Sequence, residues 1–402
     1  MSTIGWLAYS EAERRSALDV IALFKERDTR DELGLGVIRD ALADLFFPGT
    51  STIQRRARYF LFVPWTYLKL ERKHVASADA AKQARRDEIE LIKELVKVEE
   101  EEGVIGVQAR ETLKRLPSNI YWQGLQRLGI RLFPGSQDQY HRSLDRYYQR
   151  LKDAADMQTE DHEPAGGRLV PNWHASLPPC PSGFPKGATF VLARVEADYL
   201  SERILSTAPT SLLAFLVSEA KPSDATAFPW MHPQFGQFPP SIRGALEHAR
   251  CFSELMHGAA LLYNLMLAEK QPSPPRRKQY AEALGEWRLA LERRWSAFTR
   301  WDRRAFWTLI ADTDARLRPT ARHFVDEWLD LMFATKGKAI GTNQRARDLI
   351  HRRERALKGP QARLDNRQAL ASWRGAAGAN QIDYRWGIAQ MVVADIQRGL
   401  TV

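Results

Sequence analysis

Prolines and glycines decide where helices can exist in this chain. Pro164, Gly166, Gly167, Pro171, Pro178, Pro179, Pro181, Gly183, Pro185 and Gly187 all fall between positions 164 and 187. Proline removes a backbone donor and clashes with the preceding turn, so no helix survives that density. A second Pro-rich stretch covers 222–240, and 271–275 reads Gln-Pro-Ser-Pro-Pro. Between these stretches the apolar residues recur at helical spacing. The pattern predicts a mainly α, multi-domain helical chain with helix-turn-helix-like pairs in the N-terminal part and little strand. Four segments follow: an N-terminal helical domain at 1–155, a Pro/Gly-rich linker at 156–187, a middle helical domain at 188–270 with one possible strand at 189–195, and a basic helical domain at 271–402.

Local signals set the expected helix ends. Ser10, with Glu13 three residues on, caps a helix carrying Leu18, Ile21, Ala22 and Phe24. Asp31 caps the next, with Leu35, Ile38, Leu42, Leu45 and Phe46, and Pro48-Gly49 stops it. Ser51 opens a helix over 52–61 that Pro64 breaks or kinks. A charged helix over 84–102 stops at Gly103, although Glu99, Glu100, Glu101 and Glu102 oppose its dipole. Helices over 107–116, 119–128 and 143–151 complete the first segment. The middle segment carries helices near 198–204 and 211–218 and a strongly apolar one from Ser241. Trp287, Trp295, Trp301 and Trp307 are 8, 6 and 6 apart. A spacing of 6 leaves a helical face, so they read as core and helix-crossing residues. Asn343 caps a final helix through Lys358, stopped by Gly359-Pro360.

A chain of 402 residues that is 44% hydrophobic and 10% aromatic is no disordered chain. No apolar run reaches the roughly 18 residues a membrane span needs; the longest, 258–268, is interrupted by Asn264. The first residues lack the basic and apolar regions of a secretory signal. Two cysteines, Cys180 and Cys251, exclude a disulfide framework and a cysteine zinc site. A cytoplasmic protein without cofactor or metal is expected. Its net charge of +10 is lopsided: residues 1–270 hold 34 Lys+Arg against 35 Asp+Glu, whereas 271–402 hold 25 against 14. Within 336–367, ten basic residues face only Asp348, Glu354 and Asp365. Such a field attracts polyanions, nucleic acid above all, or an acidic protein.

Two sets of basic residues are therefore candidates for nucleic-acid binding. Arg55, Arg56 and Arg58 would lie outward on the 52–61 helix while Ile53, Ala57, Phe60 and Leu61 face the core. Lys336, Lys338, Arg345, Arg347, Arg352, Arg353, Arg355 and Lys358 lie on and before the 343–358 helix, and arginine's planar fork suits phosphate. The turn at 336–342 lacks the Gly-Lys-Ser/Thr order of a nucleotide-binding loop. Glu219-Ala220-Lys221, with Asp198 or Glu202 upstream, is a two-letter trace of a metal-dependent nuclease. His248, Cys251 and His257 share one apolar helix without a second ligand cluster, as incidental core residues do. No nucleophile motif is present.

Several runs carry a resemblance: Arg30-Asp31-Glu32-Leu33-Gly34, Phe47-Pro48-Gly49-Thr50-Ser51, Arg58-Tyr59-Phe60-Leu61-Phe62-Val63-Pro64-Trp65, Asn119-Ile120-Tyr121-Trp122-Gln123-Gly124-Leu125, His257-Gly258-Ala259, Ala362-Arg363-Leu364-Asp365-Asn366 and Asp383-Tyr384-Arg385-Trp386. Together they resemble a bacterial family classed as a domain of unknown function. The resemblance implies a setting in anti-phage defence clusters beside helicase and phospholipase-D-like nuclease genes. The expected function is a non-enzymatic subunit that binds double-stranded DNA and docks a helicase or nuclease. The alternatives are an assembly scaffold whose basic face meets an acidic protein, and a cryptic metal-dependent nuclease.

Overall fold

The computed structural model describes residues 31–98, 103–107, 113, 115–159, 170–271 and 274–401. The expected helix behind Ser10, the 99–102 glutamates and most of the expected 107–116 helix lie outside them. The described residues form a mainly α-helical protein. They group into two compact units, one of 31–42 with 244–384 and the other of 43–243 with 385–401.

The first helix, α1 (Gly36–Phe46), starts where the Asp31 carboxylate accepts the Leu35 and Gly36 N–H groups at 2.6 and 2.7 Å. The expected 52–61 helix does not form. Gln54 closes a loop by accepting from Ser51 N and donating to Gly49 O. Tyr121 Oη accepts from Arg55 N and donates to Arg56 O, and Ala57 N donates to Asp395. These backbone groups are spent on distant partners, so α2 (Tyr59–Arg72) begins only at Tyr59. It then runs through Pro64 instead of ending there. Every residue from Tyr59 to Tyr67 is buried, and packing on all sides holds the helix past one missing donor.

Helices α3 (Ser77–Val98), α4 (Pro117–Arg127) and α5 (Gln137–Thr159) follow. α2 packs on α3 and α4, and α3 on α5. Fully buried Glu88 on α3 accepts from Ser118 N at 2.8 Å and Ser118 Oγ at 2.7 Å. Burial lifts its carboxyl to about 7 despite those bonds. The linker packs down through Trp173, which bridges to Arg131, and through Phe184 against Phe62 and Trp65. Residues 189–193 make no β-ladder, so the possible strand is absent, and α6 (Arg194–Thr207) begins directly. Ser211 Oγ caps α7 (Leu212–Ser218).

The long apolar helix α8 (Pro240–Lys270) buries Leu246, Phe252, Leu255 and Leu262 completely. α9 (Pro274–Thr299) ends before Asp302, which caps α10 (Arg303–Ala311) through the Arg304 and Ala305 N–H groups. That break explains the tryptophan spacing of 6. Trp287 packs onto Gly258, where a Cβ would overlap the indole, and donates to Glu254 O. Trp301 donates to His248 Nδ1 and Trp307 to Asp326. α11 (Pro319–Thr335), α12 (Gln344–Lys358) and the short α13 (Arg367–Ala371) complete this unit. The other unit closes with α14 (Trp386–Thr401), which packs on α6 and α7. Gly399 allows that approach, since a Cβ there would lie 2.8 Å from the Leu192 and Ala197 side chains. No described helix is long and apolar enough to cross a membrane.

Candidate nucleic-acid interface

α11 ends in a reversal built from left-handed residues: Lys336 and Ala339 at φ 53° and Gly337 at φ 70°. Lys336 and Lys338 are exposed on that turn. Asn343 then starts α12 as its side chain accepts from Ala346 N at 3.0 Å. Ala346, Leu349 and Ile350 are the buried stripe, whereas Leu357, at the end of that stripe in sequence, is 41% exposed. Arg345, Arg352 and Arg355 point to solvent. Spacings of 7 and 3 keep them on one face, over a length of about 15 Å. Arg352 approaches Glu327 on α11 at 3.5 Å while staying 66% exposed. His323, also highly exposed, approaches the same glutamate at 3.7 Å.

The other three basic residues of this stretch turn inward. Arg353 is 6% exposed. Its guanidinium donates to Leu33 O at 2.8 Å, Gly34 O at 3.2 Å and Thr320 O at 3.2 Å, and lies over the Phe324 ring. Burial pulls it below the usual arginine range. Lys358 donates to Glu32, Tyr263 Oη and Glu354. Arg347 pairs with Glu269 and donates to Gly341 O at 2.6 Å. These groups tie the chain together. Glu354 sits fully buried at the heart of this network. Burial pushes its carboxyl up, but bonds from Tyr263, Leu364 N–H and Lys358 outweigh that and leave it below its usual range. Arg363 completes the cluster by pairing with Glu32 at 2.8 Å.

Arg55, Arg56 and Arg58 precede α2 and do not ride on its outer face, which corrects the expectation of a basic reading helix. Arg56 makes two 2.9 Å bonds to the buried Asp395 carboxylate and lies over Phe190. Arg58 pairs with Glu196 at 2.8 Å, donates to Thr189 O and covers the Phe62 ring. Arg55 is half-buried, its backbone N–H held by Tyr121.

The acids of the nuclease-like trace are not gathered. Glu219 terminates α7, Asp198 pairs with Arg194 and Glu202 with Arg203. Among the described residues no three His, Cys, Asp or Glu side chains are arranged to hold a metal. On α8, His248 accepts from Trp301, burial pushes the Cys251 thiol up to about 12, and burial drives His257, bonded to Ala379 O, down to about 4. Sequence reasoning missed Glu32, Tyr263 and Asp395 as partners of the basic groups. Only Glu354, four residues before Lys358 in the arginine helix, left a signal, as an i, i+4 pair.

A protein family described as a family of unknown function, DUF6361, matches residues 1–398. Neither the curated proteins nor the solved structures give a match.

Proposed function

We propose that this protein, which belongs to the DUF6361 family, is a non-enzymatic DNA-binding subunit of a bacterial anti-phage defence complex. Lys336, Lys338, Arg345, Arg352 and Arg355 hold the backbone of double-stranded DNA. The observation that carries the reading is the split of the basic residues. Arg347, Arg353 and Lys358 are spent on internal partners, while three arginines remain on one exposed helical face beside two exposed lysines. Of these five, Arg352 reaches Glu327 at 3.5 Å yet stays 66% exposed, and the other four are exposed as well. Each guanidinium offers two parallel donors to a phosphate, and neutralising phosphates releases counterions. Backbone contacts of this kind carry no base specificity. The defence setting, and a helicase or nuclease docked on the protein, rest on the family resemblance.

Fluorescence anisotropy of a labelled duplex across a salt series tests this. Changing Arg345, Arg352 and Arg355 together to Ala is expected to weaken binding for every sequence. It should also flatten the slope of log K against log salt by roughly 2.7, at about 0.9 per phosphate contact. Unchanged affinity and slope would overturn the footprint. A wild-type protein that ignores DNA yet co-purifies with an acidic partner would replace the reading with a scaffold. Magnesium-dependent cleavage would replace it with a nuclease.

A further inference from the structure

Among the described residues, Tyr199 Oη, His174 Nδ1 and Arg203 Nε are buried polar atoms without a hydrogen-bond partner, and they belong to side chains that neighbour one another at α6. Tyr199 and Arg203 stand four residues apart on α6 and share a face. The His174 ring lies 5.7 Å from the Tyr199 ring, centroid to centroid. The loop fixes His174 there: its backbone N–H donates to Ile130 O at 2.9 Å, and the Arg131–Trp173 bridge precedes it. Tyr199 is only 5% exposed. A buried polar atom without a partner costs free energy, and three of them on neighbouring side chains call for a polar guest.

The chemistry of the three groups says what kind. A phenol O–H, an imidazole N–H and a guanidinium N–H all donate. The Arg203 charge acts on both rings. After burial, it is the next influence holding His174 below its usual range, and it opposes the upward push of burial on Tyr199. The acid beside them is Glu202, 58% exposed, which accepts from Arg203 Nη2 at 2.8 Å. The three atoms are themselves shielded from solvent, but His174 and Arg203 are half-buried residues, so the groups lie just beneath the surface.

We propose that His174, Tyr199 and Arg203 form a binding site for a small oxyanion of the phosphate class. Glu202 is its competitor, occupying part of the Arg203 fork until the anion arrives. The site uses no residue of the basic helix, so it stands or falls apart from the DNA reading.

Calorimetric titration of the full chain with inorganic phosphate, and in parallel with adenosine monophosphate, tests the site at constant ionic strength held by chloride. Tyr199→Phe keeps the ring and removes the donor, and is expected to weaken binding about tenfold, the worth of one good hydrogen bond to a charged group. Glu202→Gln removes the competitor and is expected to tighten binding severalfold, a gain that misfolding cannot produce. Saturation by inorganic phosphate assigns the free anion; saturation by the monophosphate alone assigns a nucleotide phosphate. Both support the site. No saturable binding of either, or binding indifferent to both substitutions, overturns it.

Discussion

Arg352 and Arg353 are neighbours with opposite fates. The first is 66% exposed and comes within 3.5 Å of Glu327. The second is buried and satisfies three backbone carbonyls. Arg353→Met is expected to leave those carbonyls without their donor and to lower stability by about 2–4 kcal/mol. Arg352→Met should stay within about 0.5 kcal/mol, as surface substitutions usually do. Chemical denaturation of both variants decides this. Equal midpoints would mean that Arg353 anchors nothing. Counting charge along the chain finds both residues but cannot separate them. The carbonyl that claims Arg353 belongs to Leu33, 320 positions away. The same distance effect hid Asp395 from the reading of Arg56.

Helices whose ends are set by adjacent residues were legible. Asn343 and Gly359-Pro360 predict a helix through Lys358, and α12 spans Gln344–Lys358. Ser211 likewise marks the start of α7. The 52–61 segment misled because its apolar spacing is helical while its backbone donors and acceptors go to Tyr121 and Asp395. Those partners arrive from other helices and outweigh local propensity. Two substitutions probe this level. Asn343→Ala removes the acceptor for Ala346 N and is expected to cost about 1 kcal/mol. Because Asn343 is neutral, the salt slope of DNA binding should not change. Gly258→Ala places a methyl into the Trp287 indole and is expected to cost about 1–3 kcal/mol or more through overpacking. A thermal midpoint at or above that of the wild type would show that the indole moves aside freely.

At the scale of the molecule, buried titratable groups pull stability in opposite directions with pH. Glu88 lies in one unit, raised to about 7 by burial from an ordinary 4.5. Its neutral form suits the fold, so its contribution is complete below about 4.5 and is lost as pH rises through about 7. Glu71, in the same unit, is also raised by burial and adds with the same sign. His257 lies in the other unit, lowered by burial to about 4 from 6.5. Its neutral ring suits the fold, so its contribution is complete above about 6.5 and is lost as pH falls towards 4. A tenfold change in proton affinity corresponds to about 1.4 kcal/mol, so each effect is on the order of 3–4 kcal/mol over its full window. Glu88→Gln should therefore gain stability relative to wild type between pH 5 and pH 8, with part of the wild-type pH slope surviving through Glu71. His257→Gln should gain relative to wild type in the reverse direction, from pH 8 down to pH 5. Denaturant unfolding at the two pH values measures both. Variant and wild-type profiles that run parallel would mean that neither group titrates with folding, and that the two buried sites carry their charge states unchanged into the unfolded chain.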